Sequence, residues 1–159
     1  MATQLWLLRH GEAEPHDARP DHERRLTERG EEQSRAAGRA LAAAGLTFQA
    51  VYTSPKVRGR DTARLACEAL GCTPIETDVL AEGFDADDAR QLLLEVAPDG
   101  RILVVGHNPD FAQVVHDLTG GRVDFKKGGV AGVRLDGTMG ELVALLRPRE
   151  LERMAAPGH

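Results

Sequence analysis

Two apolar runs without alternation, Leu5-Trp6-Leu7-Leu8 and Ile102-Leu103-Val104-Val105, frame the chain. Strands of a parallel sheet covered on both faces read this way, because neither face meets water. Each run ends abruptly in polar residues. Between them, apolar residues recur at helical spacing: Ala37, Ala40, Leu41 and Ala44, then Ala63, Ala66, Cys67 and Leu70, then Ala89, Leu92, Leu93 and Val96. The first set predicts a helix from a capping Thr27 to a C-terminal Gly45, and the second a helix opened by Ser54-Pro55 and ended by Gly71. The third helix stops before Pro98. Short strands are expected at Ala50 to Thr53 and Pro74 to Val79. Asn108-Pro109 opens a fourth helix, with Phe111, Val114, Val115 and Leu118 on one face up to Gly120-Gly121. Two late β segments, Val130 to Leu135 and Leu142 to Leu146, flank the hairpin signal Asp136-Gly137. The tail from Arg149 is expected to be loosely held.

Alternating strands and helices predict an α/β fold, a three-layer sandwich with a mostly parallel central sheet and an antiparallel edge. No repeat, low-complexity tract or linker divides the sequence, so residues 1–159 read as one domain.

Composition narrows the function classes. Hydrophobic residues make up 42% of the 159 and charged residues 28%, enough for a core and unlike a disordered or fibrous chain. Twenty Lys and Arg stand against 25 Asp and Glu, a net charge of −5, which argues against a nucleic-acid or membrane-surface partner. Only Lys126-Lys127 runs the other way; it reads as a surface loop, with an acidic partner as the alternative. No apolar run approaches the roughly 18 residues of a membrane span, and Arg9 comes too early for a signal peptide, so a cytoplasmic protein is expected. Cys67 and Cys72 fit neither a zinc nor a disulfide framework, and Cys67 reads as a small core residue.

In open α/β sheets, ligands bind beyond the carboxyl ends of the strands. The first predicted strand runs into Arg9-His10-Gly11-Glu12, the second ends at Ser54 with Arg58 just beyond, and the later apolar run ends in Gly106-His107-Asn108-Pro109. Two arginines and two histidines, far apart in sequence, are therefore expected to share one crevice. Taken singly, Arg58 is a helix-surface charge and His107 a turn histidine; the shared placement gives them a chemistry. Paired guanidiniums beside a helix N-terminus suit an oxyanion, phosphate above all. A neutral imidazole can attack phosphorus, and arginines that offset the oxygens' charge make a metal unnecessary.

Arg9-His10-Gly11 closing a first strand resembles the signature of the histidine phosphatase superfamily, the phosphoglycerate mutase-like fold. Three further segments resemble that family's motifs: Arg25-Leu26-Thr27-Glu28-Arg29-Gly30, then Ser54-Pro55-Lys56-Val57-Arg58 with Thr62-Ala63, then Gly106-His107. The resemblance implies that His10 accepts the phosphoryl group, that Arg9, Arg58 and His107 form the phosphate pocket, and that water releases phosphate in a second step. The chain is most similar to SixA-type phosphohistidine phosphatases, being short and without the inserted segments that build a lid in the mutases. That likeness implies a phosphohistidine-bearing partner protein as substrate and no cofactor; a monomer is expected.

Glu82, after the third strand, sits where larger family members carry an acidic residue and is the candidate proton donor, with Glu12, Asp21 or solvent as alternatives. His16, His22, Asp17 and Asp21 match no compact metal-ligand spacing and read as a polar loop. Arg24, Arg25, Arg29, Arg60 and Arg64 read as solvated helix faces and ion pairs rather than a binding patch, with a place for a few of them at the rim of the crevice. A small-molecule phosphomonoesterase with the same pocket is the alternative function, and a non-catalytic phosphate-binding module a third. A dinucleotide-binding domain fails because the first turn lacks the Gly-x-Gly-x-x-Gly pattern.

Overall fold

The computed structural model describes residues 2–157. Six strands, β1 (Thr3–Arg9), β2 (Ala50–Thr53), β3 (Ile75–Glu76), β4 (Arg101–Gly106), β5 (Val130–Asp136) and β6 (Met139–Leu146), form one sheet in the order β3-β2-β4-β1-β5-β6. The pairs β1–β4, β2–β4 and β2–β3 are parallel. The β1–β5 and β5–β6 pairs are antiparallel, so the expected mixed sheet with an antiparallel edge is present. Five helices cover it: α1 (Glu28–Ala43), α2 (Val57–Leu70), α3 (Ala86–Leu93), α4 (Asp110–Thr119) and α5 (Pro148–Ala155).

The period-two geometry of strands sorts the apolar runs into two cores. Leu5, Leu7, Ile102 and Val104 pack with Phe111 and Val114 of α4 and Ala89 of α3. Trp6, Leu8, Leu103 and Val105 pack with Ala37 and Leu41 of α1, Ala63 and Ala66 of α2 and Leu151 of α5. The two unalternated runs are thus buried on both faces, each leucine contributing about 1.5–3 kcal/mol. Close approach of α1 to α2 depends on Gly38, where a Cβ would collide with the backbone of Ala66.

The caps explain where most elements stop. The Thr27 side chain accepts from Gly30 N, while Gly71 and Gly120 close α2 and α4 in the left-handed conformation. Gly137 takes φ 65° in the two-residue turn that pairs Asp136 with Met139.

Four expectations need correction. From Arg149 to Ala155 the tail is helical: α5 starts at Pro148, Glu150 accepts from Arg147 N, and Leu151 is fully buried under the sheet. One leucine in the right register anchors a segment whose composition reads as surface. The strand at Pro74 to Val79 shrinks to Ile75–Glu76, because Asp78–Leu80 forms a 3-10 turn that buries Leu80. Ser54-Pro55 precedes α2 instead of opening it; the Ser54 hydroxyl caps a turn by accepting from Lys56 N. The third helix ends at Leu93, short of Val96, after a capping box between Asp85 and Asp88.

Candidate active site

Strand register places the chemistry. Arg9 pairs with Gly106 across β1 and β4, and Thr53 pairs with Val105 across β2 and β4. The three strands therefore end level, and His10, Ser54 and His107 leave the sheet at the same edge. Two backbone bonds extend this register beyond the strands, His10 N to Gly106 O (3.0 Å) and Ser54 N to Val105 O (3.0 Å). Gly11 then turns the chain against the start of α1, where any Cβ would strike the backbone of Gly30. Its N–H donates to Thr62 Oγ1 (3.1 Å), whose hydroxyl donates to Arg58 O (2.7 Å). Thr62 thus fastens the turn after β1 to the first turns of α2.

His10 is buried, and its Nδ1 lies 2.7 Å from Gly11 O. A carbonyl only accepts, so Nδ1 carries the proton and Nε2 keeps its lone pair. Burial, followed by the charges of His107, Arg58 and Arg9, lowers the imidazole's pKa to about 3 despite the Gly11 hydrogen bond. The His10 and His107 rings lie 5.1 Å apart between centroids. His107 Nε2 meets Ser54 Oγ at 2.8 Å, and burial together with Arg58 and Lys56 lowers this histidine to about 3 as well.

The arginines are held from behind. Arg9 Nη1 donates to Phe125 O (2.6 Å), and Arg58 Nη1 donates to Asp21 O (2.6 Å) while its Nη2 reaches Asp21 Oδ2 (3.3 Å). Asp21 also accepts from Lys56 Nζ (3.0 Å) and Arg24 Nη2 (3.1 Å). Burial opposes ionisation of Asp21, but the Lys56 hydrogen bond and the Arg58 charge prevail and hold its carboxyl well below the usual range. Asp21 is therefore an anchor for Arg58 rather than a reservoir of protons at neutral pH.

Arg9, His10, Arg58 and His107 line one cleft of about 160 Å³, with Arg24, Asp21, His16, Asn108 and Lys127 around it. Arg9 Nε, Arg58 Nε and His107 Nδ1 are buried without a hydrogen-bond partner among the described residues. Buried polar atoms are rarely left unpaired. Three such nitrogens on residues from three strand ends, lining one positively charged cleft, mark a place for an anion with several acceptor oxygens.

The structure brings together the four residues expected at the strand ends. Glu82 lies apart from the cleft lining, its side chain 86% exposed and 3.7 Å from Lys56 Nζ. Glu12 is exposed and tied through its backbone to Gln33 and Thr27. Arg24 departs from its surface reading: it is buried, follows a 3-10 turn rather than lying on a helix, and donates to Glu14 O at 2.7 Å. His16 and Asp21, read as a polar loop, join the cleft wall. Arg60 and Arg64 remain exposed beside Asp61, as expected. Sequence reasoning missed the supporting role of Ser54 and Thr62, although both fall within the segment that carries Arg58.

Comparison with known proteins agrees with this geometry. The model of the histidine phosphatase superfamily (branch 1) matches residues 5–86. An uncharacterized protein of Picosynechococcus sp. is 34% identical over 139 residues, 82% of this chain and 84% of that protein. A 2,3-bisphosphoglycerate-dependent phosphoglycerate mutase of Parvibaculum lavamentivorans is 38% identical over 104 residues, 57% of this chain and 50% of the mutase, so the match spans half the mutase's length. The structure of the protein histidine phosphatase SixA complexed with tungstate superimposes with a TM-score of 0.82 at 25% identity, covering 93% of this chain and 99% of SixA. The signature at the end of β1, the level strand ends and these matches have one reading: the chain belongs to the histidine phosphatase superfamily, and its fold is that of SixA.

Proposed function

We propose that the protein is a metal-independent phosphatase that works through a phosphohistidine on His10 and removes the phosphoryl group from phosphohistidine on a partner protein. The observation that carries this reading is the pairing of a lone pair on His10 Nε2 with three unpartnered nitrogens on residues that line the same cleft. The substrate phosphate sits against Arg9, Arg58 and His107, whose N–H groups hold its equatorial oxygens. In the arrangement we propose, Ser54 Oγ accepts from Lys56 N and gives its proton to His107 Nε2, 2.8 Å away, which leaves Nδ1–H for the phosphate.

His10 Nε2 attacks phosphorus in line. The P–N bond to the substrate imidazole breaks, and that imidazole leaves with a proton already on it or taken from solvent. Water then attacks phosphorus, the P–N bond to His10 breaks, and inorganic phosphate leaves. An ester demands more, because an alkoxide is a poor leaving group; there Glu82 serves as the proton donor. The guanidiniums offset the charge on the oxygens, so no step routes through a metal.

A second reading keeps the pocket and changes the substrate to a small phosphate ester such as a sugar phosphate or nucleotide. The likeness to a phosphoglycerate mutase over 57% of the chain favours it. Phosphate release from a phosphohistidine-bearing protein, set against a panel of small esters with EDTA present, separates the two. Preference for the protein supports the proposal, whereas preference for one ester moves the enzyme to metabolism.

A further inference from the structure

The Lys126-Lys127 pair, which stands out in an acidic sequence, lies on a loop tied to the catalytic strand end. Gly128 N donates to Arg9 O (3.0 Å) and His10 O (2.9 Å), Arg9 N donates to Gly129 O (3.0 Å), and the Arg9 guanidinium holds Phe125 O. Buried Phe125 packs at 5.9 Å from Phe111, which fixes the root of the loop. Beyond it opens a groove of about 570 Å³, over three times the volume of the phosphate cleft at about 160 Å³. Arg9 and Lys127 line both, so the groove leads directly away from the phosphate site.

Six cations line the groove, Arg9, Arg29, Lys126, Lys127, Arg147 and Arg149, against one lining carboxylate, Asp124. Several are already paired: Lys126 with Asp124 (2.9 Å), Arg29 with Glu152 (2.6 Å), and Arg147 and Arg149 with Glu150 (2.9 and 3.1 Å). The lysine ion pairs among the described residues belong to Lys56 and Lys126, which leaves Lys127 without one. Adding Glu150 and Glu152 to Asp124 still leaves six cations against three carboxylates, on a chain whose net charge is −5. A local inversion of charge beside an anion site steers and orients an acidic partner while the rest of the surface repels it.

Resting on the phosphohistidine reading of the cleft, we propose that this groove binds an acidic segment of the partner protein next to its phosphorylated residue, with Lys126, Lys127, Arg147 and Arg149 meeting its carboxylates. One further oxyanion would fill only a corner of such a groove, whereas an extended peptide can run from Lys127 to Arg149. Surface pairs such as Arg149–Glu150 are worth little in water, so exchange of one carboxylate for another costs little.

The test separates binding from turnover. A short fluorescein-labelled peptide of alternating Glu and Ala is titrated by anisotropy onto the wild type and onto the double variant Lys126→Glu/Arg149→Glu, with a Lys/Ala peptide alongside. The proposal expects the Glu peptide alone to bind, more weakly as salt rises, and about tenfold more weakly to the double variant. The neutral pair Lys126→Gln/Arg149→Gln, checked for folding by circular dichroism, should fall between. With a phosphohistidine peptide flanked by Glu, kcat/KM should drop about tenfold more in the charge-reversed variant than it does with phosphoramidate itself. Equal affinity of wild type and variant for the Glu peptide, tighter binding of a single-stranded oligonucleotide, or equal loss on both substrates would overturn the groove's role. Binding of the Glu peptide without turnover of any phosphohistidine substrate leaves the groove standing and overturns the phosphohistidine reading instead.

Discussion

The Nδ1 of His10 lies 2.7 Å from the carbonyl oxygen of Gly11, the residue that turns the chain away from the sheet. One backbone group thus chooses the tautomer and aims the lone pair, while burial and neighbouring cations keep the ring neutral, with a pKa of about 3. A pH–rate profile checks this. The acid limb of kcat/KM, corrected for the substrate's own phosphate ionisation, reports the free enzyme and should lie below pH 5. An enzyme inflection near 6.5, the ordinary histidine value, would contradict the neutral, buried nucleophile.

The same burial makes folding stability depend on pH. Both His10 and His107 have folded pKa values near 3 against 6.5 when unfolded, so between those values the unfolded chain binds more protons. Stability should therefore be complete above about pH 6.5 and decline as pH falls toward 3. Thermal melts from pH 7 down to 4 measure the slope, and His10→Ala should flatten it by removing one of the two groups. An unchanged slope would mean that His10 titrates normally in the fold.

Arg58 is buried and held by Asp21 through two contacts, one of them to a backbone oxygen. Its planar fork matters as much as its charge, so Arg58→Lys should lose about a hundredfold in kcat/KM although charge is kept. Asp21→Asn should cost less, roughly tenfold, since Arg58 keeps its bond to the Asp21 carbonyl. Steady-state kinetics on both variants give the order, and a more damaging Asp21→Asn would assign that carboxylate a direct part in the chemistry.

In the proposed mechanism Glu82, exposed beside Lys56, protonates a leaving group that needs help. Glu82→Gln should slow hydrolysis of an alkyl phosphate by about tenfold or more and leave a phosphoramidate within about twofold. Equal rates of wild type and variant on the ester would remove Glu82 from the mechanism and return the donor to Glu12 or solvent.

The layered fold was legible because the two unalternated runs and the helical spacing of Ala37, Ala40 and Leu41 each record burial directly. Arg9, His10, Arg58 and His107 were legible because they follow the ends of such runs. What escaped is whatever depends on one contact across the fold. Leu151 gives no periodic signal, yet it pins α5 to the sheet. Arg24 looks like one more surface arginine until Asp21 and the Glu14 carbonyl are found beside it. Ser54 reads as a helix cap, and only the parallel register of β2 with β4 shows that its hydroxyl meets His107.

A phosphohistidine on His10 is tested most directly by acid-free rapid quench into denaturant during turnover of a phosphohistidine substrate, with EDTA present, followed by peptide mapping. A base-stable, acid-labile phosphoryl group should appear on the peptide that carries His10 and be absent from His10→Ala, which should be slower by at least about a thousandfold. Full turnover by His10→Ala, or a phosphoryl group on His107 alone, would contradict it.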